Sequence, residues 1–376
     1  MQLSVIILNY NVRFFLEQCV FSVQKALENI DGEIIVIDNN SSDDSCVMMK
    51  EKFPNIKLIE NKENLGFPKG NNIGVAVAEG EYLCILNPDT IVAEDTFAKI
   101  LSFCHSEHVS ESNTGIIGCK LIDGTGSFLP ESKRGVPTPW VAFTKIFGLY
   151  KISNFFGKYY AQHITENQSG KVDILVGAFM IMKRDVYNEI GGFDENCFMY
   201  SDDIDLSYMV LKSGKQNFYF HETSVIHYKG ESTIRDGLYM KRFRNAMQFF
   251  YKKHFKKSFF FDIMMQFGAF LFSIFKKNQQ KNENVVINEY IVFSKSELDL
   301  KLDKKATYYS EFNDFKVNFN QNIQVIFDTE SFAFKDIIAF MERNKAKNVT
   351  FKNYIKSSDY IIGSNYSNDR GEIVKL

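Results

Sequence analysis

The apolar positions in the first ninety residues fall into short blocks of two kinds. Leu3–Leu8 and Tyr82–Leu86 are nearly unbroken apolar runs of strand length, and Glu33–Ile37 and Ile56–Ile59 are further strand-length blocks. Between them Leu16, Val20, Val23 and Leu27 recur at helical spacing across Phe14–Leu27. Ser45–Lys52 reads as a helix stopped near Pro54, and Asn71–Ala78 as a third. Buried strands alternating with helices predict an α/β fold, a mostly parallel sheet covered on both faces. Ligands of such sheets bind beyond the carboxyl ends of the strands. Three polar clusters are expected there: Asn9-Tyr10-Asn11, Asp38-Asn39-Asn40 and Asn87-Pro88-Asp89.

Further along, Thr114–Leu121 is another apolar stretch, and 123–170 is irregular and rich in Gly, Pro and aromatics, as a substrate-covering segment would be. Val172–Met182 reads as one buried strand through Gly177-Ala178, and Arg184–Gly191 as a short helix. Ile204–Lys212 reads as a helix with Asp202, Asp203 and Asp205 crowded at its N-terminal end. The helix dipole favours carboxylates there. Clustered carboxylates repel one another, so a cation, a hydrogen-bond network or a reaction is needed to keep them together.

Composition narrows the reading. The chain has 376 residues, 45% of them hydrophobic and 24% charged, with a net charge of −2. That gives one large or two smaller soluble domains and no case for bulk nucleic-acid binding. None of the six cysteines forms a C-x-x-C pair, so a reducing compartment is expected. The first residues read as a buried strand and lack the pattern of a signal peptide. The stretch 241–281 departs from the average: it carries ten Lys/Arg against a single acid, Asp262, and encloses the apolar Phe259–Phe275. Seventeen residues with an internal Asp fall short of the roughly 20 a span needs. A basic, aromatic, amphipathic helix lying on a membrane surface is the expectation. Residues 278–290 read as a linker, and the remainder as a small α/β appendage.

Each polar cluster has two readings. Asp38, followed by Asn39, Asn40, Ser41 and Ser42, suits a nucleobase or ribose, and equally an Asx-turn and helix cap. Asn64-Leu65-Gly66 through Gly74, with Lys69, suits a diphosphate at a helix start, or is simply that start. Asp89 suits a divalent metal that takes its other ligands from phosphate and water, or belongs to an Asn-Pro-Asp turn. His227, after a strand-like stretch, is a ligand or a core residue. Together they fall at predicted strand ends in one order.

These residues resemble the family 2 glycosyltransferases of the GT-A fold, in their rhamnosyltransferase-like branch. The resemblance is carried by Val5–Asn11, Ile35–Asp43, Asn64–Gly66, Gly70–Gly74, Asn87–Asp89, Gly177–Phe179, Gly191–Asp194, Phe198–Tyr200, Asp202–Leu206 and His227. It covers about residues 1–255. It implies inverting transfer of a sugar from a nucleoside-diphosphate donor, dTDP-rhamnose or a UDP-sugar, to a hydroxyl of a glycan or lipid-linked acceptor. In that pattern Asp203 is the general base beside Asp202, and Asp38 reads the donor base. Asp89, the last acid of the family's D-x-D motif, binds Mg²⁺ or Mn²⁺ with His227. The first acid of that motif is replaced here by Asn87. The expected substrate-binding set is Asn9, Tyr10, Asn11, Asp38, Asn40, Asn64, Gly66, Lys69, Asn71, Asn87 and Gly177.

The expected organisation is a catalytic domain over 1–235, a basic amphipathic membrane-association segment over 236–280, and an accessory α/β domain over 281–376. The enzyme is expected on the cytoplasmic face of the plasma membrane. Two rival readings are a non-catalytic sugar-nucleotide-binding module, which the altered Asn87 favours, and a nucleotidyltransferase, which leaves the late acid cluster and His227 unexplained.

Overall fold

A computed structural model describes residues 1–106, 113–229, 237–255, 286–304, 306–312, 321–367 and 371–376. The first apolar run forms β1 (Leu3–Asn9), buried along its whole length. Next come α1 (Arg13–Leu27), β2 (Gly32–Asp38), α2 (Ser45–Lys52), β3 (Lys57–Glu60), α3 (Gly66–Ala76) and β4 (Tyr82–Leu86). These four strands are parallel in the order β3-β2-β1-β4. Alternate residues of β1 enter two cores, as a strand's two-residue period requires. Leu3, Val5 and Ile7 pack with Leu16 and Val20 of α1, while Ile6 and Leu8 pack with Val75 of α3. The register pairs Asn9 with Asp38 and Ile7 with Leu86, so β1, β2 and β4 end along one edge.

The sheet continues through β5 (Thr90–Ile91), α4 (Thr96–Cys104), β6 (Thr114–Ile122), α5 (Pro139–Ile146), β7 (Gly170–Val172), β8 (Phe179–Lys183), α6 (Arg184–Glu189), α7 (Asp202–Lys212) and β9 (Gln216–His227). The full order is β3-β2-β1-β4-β8-β6-β9-β5, with β7 also on β9. This is the α/β, mostly parallel architecture expected. β8 runs antiparallel to β4, which brings the start of β8 beside the end of β4.

Two expectations are corrected. Val172–Met182 is not one strand: Gly170–Val172 pairs with β9, Phe179–Lys183 pairs with β4, and the loop between them crosses the strand-end edge. α3 begins at Gly66 rather than Asn71, so the glycine-rich stretch lies inside the helix. Side chains outside the helix hold that start. Asn64 Oδ1 accepts from the Gly66 N–H at 3.0 Å, and Asn39 Oδ1 accepts from the Leu65 N–H at 3.1 Å.

α8 (Gly237–His254) lies on α7, with Met247, Phe250 and Tyr251 packed against Ile174 and Ile204. It is the described part of the basic segment. Phe259–Phe275, on which the membrane expectation chiefly rests, falls outside the described residues. Among the described residues no helix is long and apolar enough to cross a membrane.

A second sheet is built from β10 (Glu289–Phe293), β11 (Ala306–Tyr309), β12 (Ile323–Asp328), α9 (Phe334–Asn344), β13 (Val349–Ile355), β14 (Tyr360–Gly363) and β15 (Glu372–Lys375). Its order is β11-β10-β12-β13-β14-β15, parallel up to β13 and antiparallel after it. Its aromatic core, with Phe293, Phe327, Phe340 and Phe351, is continuous with Phe15 of α1, Ile91 and Ile226 of the first sheet, and Tyr228 just after β9. Polar contacts add to this joint. Glu94 accepts from the Phe334 and Lys335 N–H groups at 2.8 and 2.9 Å, and Asn353 bonds Gln18 at 2.9 Å.

Candidate active site

The ends of β1 and β2 hold each other. Asn9 Nδ2 donates to Asp38 Oδ1 at 2.7 Å, and the Ser41 N–H donates to Asp38 Oδ2 at 2.8 Å. Both side chains are buried. Asn11 and Asn40 adopt left-handed backbone, φ 56° and 64°. Asparagine tolerates this better than most residues, because its side chain bonds locally. Asn11 Oδ1 accepts from the Ser42 N–H at 2.7 Å. Tyr10 and Asn40 are exposed beside this network.

Asn39 ties that edge to the start of α3, donating to Asn64 Oδ1 at 3.0 Å and to the Gly66 carbonyl at 3.2 Å. Gly66 has φ +82°, and a Cβ there would lie 2.7 Å from both the ring and the carbonyl of Phe198. Only glycine lets the two loops meet, and the Phe67 N–H then donates to the Phe198 carbonyl at 2.9 Å. Lys69 is exposed on α3. Asn71 is turned into its own helix, its amide donating to the Phe67 carbonyl at 2.9 Å. The neighbouring Asn72, absent from the expected set, instead braces the turn at Phe193, donating to its carbonyl at 2.9 Å.

After β4, the Asn87 N–H donates to the Ala178 carbonyl at 3.0 Å. Two residues on, Asp89 meets His227, because β5 pairs antiparallel with the end of β9. Asp89 Oδ1 and His227 Nε2 are 3.4 Å apart, both residues are buried, and Asp89 Oδ1 and His227 Nδ1 have no hydrogen-bond partner. An uncommitted buried carboxylate oxygen beside an imidazole fits a divalent cation with two protein ligands, the rest coming from diphosphate and water. Among the described residues no group of three His, Cys, Asp or Glu side chains is gathered as a metal cage.

The acid cluster opens α7. Tyr200, just before it, has φ 82°, an unusual conformation for a non-glycine residue and one found disproportionately at functional sites. Asp203 Oδ1 accepts from the Ile204 N–H at 2.7 Å. Asp203 Oδ2 accepts from the Gly177 N–H at 3.2 Å and from Arg134 Nη2 at 2.5 Å. The loop between β7 and β8 thus joins Asp203, through Gly177 and Ala178, to Asn87. The Asp202 carboxyl is pushed up to about 7, by burial first and then by the charge of Asp203. Asp205 is spent on α8, accepting from Lys253 Nζ at 2.7 Å and contacting His254 Nε2 at 2.5 Å. Arg134 was not singled out from the sequence, and Asn39 was read only as a member of the Asp38-Asn39-Asn40 cluster. For Arg134 the available signal was the adjacent pair Lys133-Arg134 in a segment otherwise rich in glycine, proline and aromatics.

The model of the family described as "Glycosyl transferase family 2" matches residues 4–191, which carry every strand end of the first half of this site. The chain belongs to that family. The match ends before Asp202, Asp203 and His227. The glycosyltransferase is 24% identical over 247 residues to the N-acetylglucosaminyl-diphospho-decaprenol L-rhamnosyltransferase of Mycobacterium tuberculosis, covering 62% of this chain and 78% of the relative. It is 27% identical over 285 residues to the minor teichoic acid biosynthesis protein GgaB of Bacillus subtilis, covering 74% of this chain and 27% of that longer protein. Among solved structures, it is similar to a mannosyltransferase from Pyrobaculum calidifontis in complex with GDP-Man and Mn²⁺. There the TM-score is 0.47 at 18% identity, over 72% of this chain and 69% of the other. The family expected from the residues, with its rhamnosyltransferase-like branch, is borne out.

Proposed function

We propose that this glycosyltransferase moves a sugar, with inversion, from dTDP-rhamnose or a UDP-sugar to a hydroxyl of a glycan or lipid-linked acceptor in cell-surface glycan synthesis. The observation that carries the reading is the single strand-end edge. It brings together the Asn9–Asp38 pair, the start of α3, the Asp89–His227 pair and, through Gly177, Asp203. The rhamnosyltransferase and teichoic acid relatives support the surface-glycan setting.

Asp38, held by Asn9 and Ser41, hydrogen-bonds the donor base, and Tyr10, Asn11 and Asn40 flank it. Asn64, Gly66, Lys69, Asn87 and Gly177 line the path of the diphosphate and sugar. Asn71 gives its Nδ2 to Phe67 and keeps a buried Oδ1 without a hydrogen-bond partner, so it stays with the substrate-binding residues. Asp89 and His227 would hold Mg²⁺ or Mn²⁺, which when bound offsets negative charge on the leaving diphosphate. Asp203 accepts the acceptor's hydroxyl proton as that oxygen attacks the anomeric carbon from the face opposite the leaving group. The bond from the anomeric carbon to the diphosphate oxygen breaks, and its electron pair leaves on the nucleoside diphosphate. Asp202 sits behind Asp203 as its immediate electrostatic neighbour.

The exposed Lys241, Arg242 and Arg244 on α8, with the partly exposed Phe243, support a cytoplasmic membrane surface as the place of work. Failure of the intact protein to co-sediment with anionic vesicles at low salt would remove that part. The test of the function is a panel of UDP-, dTDP- and GDP-sugars with and without Mn²⁺, read by thermal shift and by release of nucleoside diphosphate. Binding without release or hydrolysis for every donor would favour a non-catalytic module, the reading that Asn87 in place of a carboxylate supports.

A further inference from the structure

We propose that Arg134 is the positioning residue of the transfer reaction: it anchors one oxygen of Asp203 so that the other is presented to the acceptor hydroxyl. The inference rests on the glycosyl-transfer reading above and adds to it a residue from the irregular segment.

The geometry divides the two oxygens of Asp203 unequally. Oδ2 is taken twice, by Arg134 Nη2 at 2.5 Å and by the Gly177 N–H at 3.2 Å. Oδ1 accepts once, from the Ile204 N–H at 2.7 Å, and keeps a lone pair for a proton. A carboxylate held at one oxygen by a guanidinium and a backbone N–H cannot spin about its terminal torsion. A base oriented by a third group is the arrangement that productive proton transfer needs.

Arg134 is itself fixed. Its backbone exchanges hydrogen bonds with Ile174 at 2.8 and 2.9 Å, and Nη2 also donates to the Leu175 carbonyl at 3.1 Å. The side chain is 10% exposed, so its charge is held by protein partners rather than by water. Burial opposes that charge, but Asp203 and Tyr159 outweigh it and keep the guanidinium above its ordinary value. Lys145 Nζ lies 3.4 Å from the centre of the Tyr159 ring, on α5. The Arg134–Asp203 bond therefore ties the base to the irregular segment expected to cover the substrate. A buried arginine could have been satisfied by carbonyls alone. Placing it on the proposed base, with the Gly177 N–H on the same oxygen, is what orients the other oxygen.

The test uses the full chain, with whichever sugar nucleotide the wild type turns over. Arg134→Ala should lower kcat by about 100-fold or more, within the range general-base catalysis supplies, while the donor KM stays within about threefold because ground-state donor binding is untouched. Added guanidinium, well below denaturing concentrations, should restore activity about tenfold in Arg134→Ala and not at all in Asp203→Asn, since only the former still has a base to orient. A structural role alone would give no such rescue. Arg134→Ala turning over within about threefold of wild type, a donor KM that rises in step with the loss, or a folded variant that guanidinium does not rescue would each overturn the proposal. Should Arg134→Ala not fold, Arg134→Lys carries the test. It should lose about tenfold in kcat at unchanged donor KM, because an ammonium lacks the planar fork, and wild-type kcat in that variant overturns the proposal. These failures leave sugar transfer intact. A wild type that binds donor and transfers to nothing removes the glycosyl-transfer reading and this proposal together.

Discussion

Replacing Asp203 by Asn separates the chemistry from the binding, and the structure sets the size of both effects. The amide is isosteric but has only one acceptor oxygen. Asp203 Oδ1 now takes the Ile204 N–H, and Oδ2 takes Arg134 and the Gly177 N–H. In the variant the carbonyl serves one side, and the NH₂ group faces donors on the other. With the carbonyl toward Arg134, the Ile204 N–H is left unsatisfied, which costs about 1–3 kcal/mol. The charged bond to Arg134 weakens to a charged–neutral one, a loss of about 1 kcal/mol. Because the Asp203 side chain keeps 13% of its surface exposed, the sum should be about 2–4 kcal/mol, read as a shift in urea unfolding at constant slope. On activity the loss should be about 10²–10⁴-fold in kcat, which is roughly 3–5 kcal/mol of barrier. Donor affinity by calorimetry should change less than about threefold if, as proposed, Asp203 acts on the acceptor hydroxyl. A variant whose kcat stays within about tenfold of wild type would refute Asp203 as the base. A donor affinity weakened in proportion to the rate would show instead that Asp203 holds the donor.

Other perturbations test other parts of the site. Asp89→Ala should abolish stimulation by Mn²⁺ or Mg²⁺ and weaken donor binding by about tenfold or more, and a chelator should do the same to wild type. Because Asp89 Oδ1 has no hydrogen-bond partner to lose, stability should fall little, and an unchanged metal response would remove Asp89 from the metal site. Asp202 gives a pH dependence of known sign. Its carboxyl is raised from 3.8 to about 7, so between these values the folded protein holds a proton that the unfolded chain has released. Its contribution to stability therefore falls as pH rises through that window. Asp202→Asn should flatten this part of the pH–stability curve, and an unaltered slope would contradict the assignment. Glu94→Ala removes the carboxylate that caps the first N–H groups of α9 from the other sheet. It should cost about 1–2 kcal/mol and expose the second sheet to limited proteolysis, and wild-type protection would refute the joint.

The central strands were legible because a strand buried on both faces reads as a continuous apolar run, and β1 and β4 appear in the structure within a residue of their expected ends. The failures have physical causes of other kinds. α3 starts five residues early because Asn39 and Asn64 cap it, and Asn39 lies 26 positions before Leu65. No local propensity carries that information. The run Val172–Met182 splits because its two ends pair with different strands, a choice made by the sheet and not by the run. β10, β11 and β15 were not anticipated: β11 and β15 are short edge strands, largely exposed and mixed in character, while β10 is a buried strand that begins inside the stretch read as a linker. Asp89 and His227 were each conspicuous in sequence, but only the pairing of β5 with β9 brings them within 3.4 Å. Arg134 meets a partner 69 residues away and had no local pattern to announce that contact.

The three carboxylates that open α7 show most clearly what geometry adds to sequence. Successive residues on a helix turn by about 100°. Asp202, Asp203 and Asp205 therefore point in three directions and cannot all face one ion, however close they stand in the chain. Each must find its own environment. Asp205, 1% exposed, is neutralised by Lys253, also contacts His254 Nε2, and becomes the seat of α8. Asp203 is neutralised by Arg134. Among the described residues no cation pairs with Asp202, so burial first and then the charge of Asp203 raise its carboxyl to about 7. The like-charge problem is thus relieved by two counterions and one proton, with no cation required among the three. That leaves the pair across β5 and β9, with an uncommitted Asp89 oxygen facing His227 Nε2, as the place where a divalent ion has something to bind. Were the cluster itself the metal site, Lys253, His254 and Arg134 would all have to leave first, at the cost of baring buried charges on α7 and undocking α8.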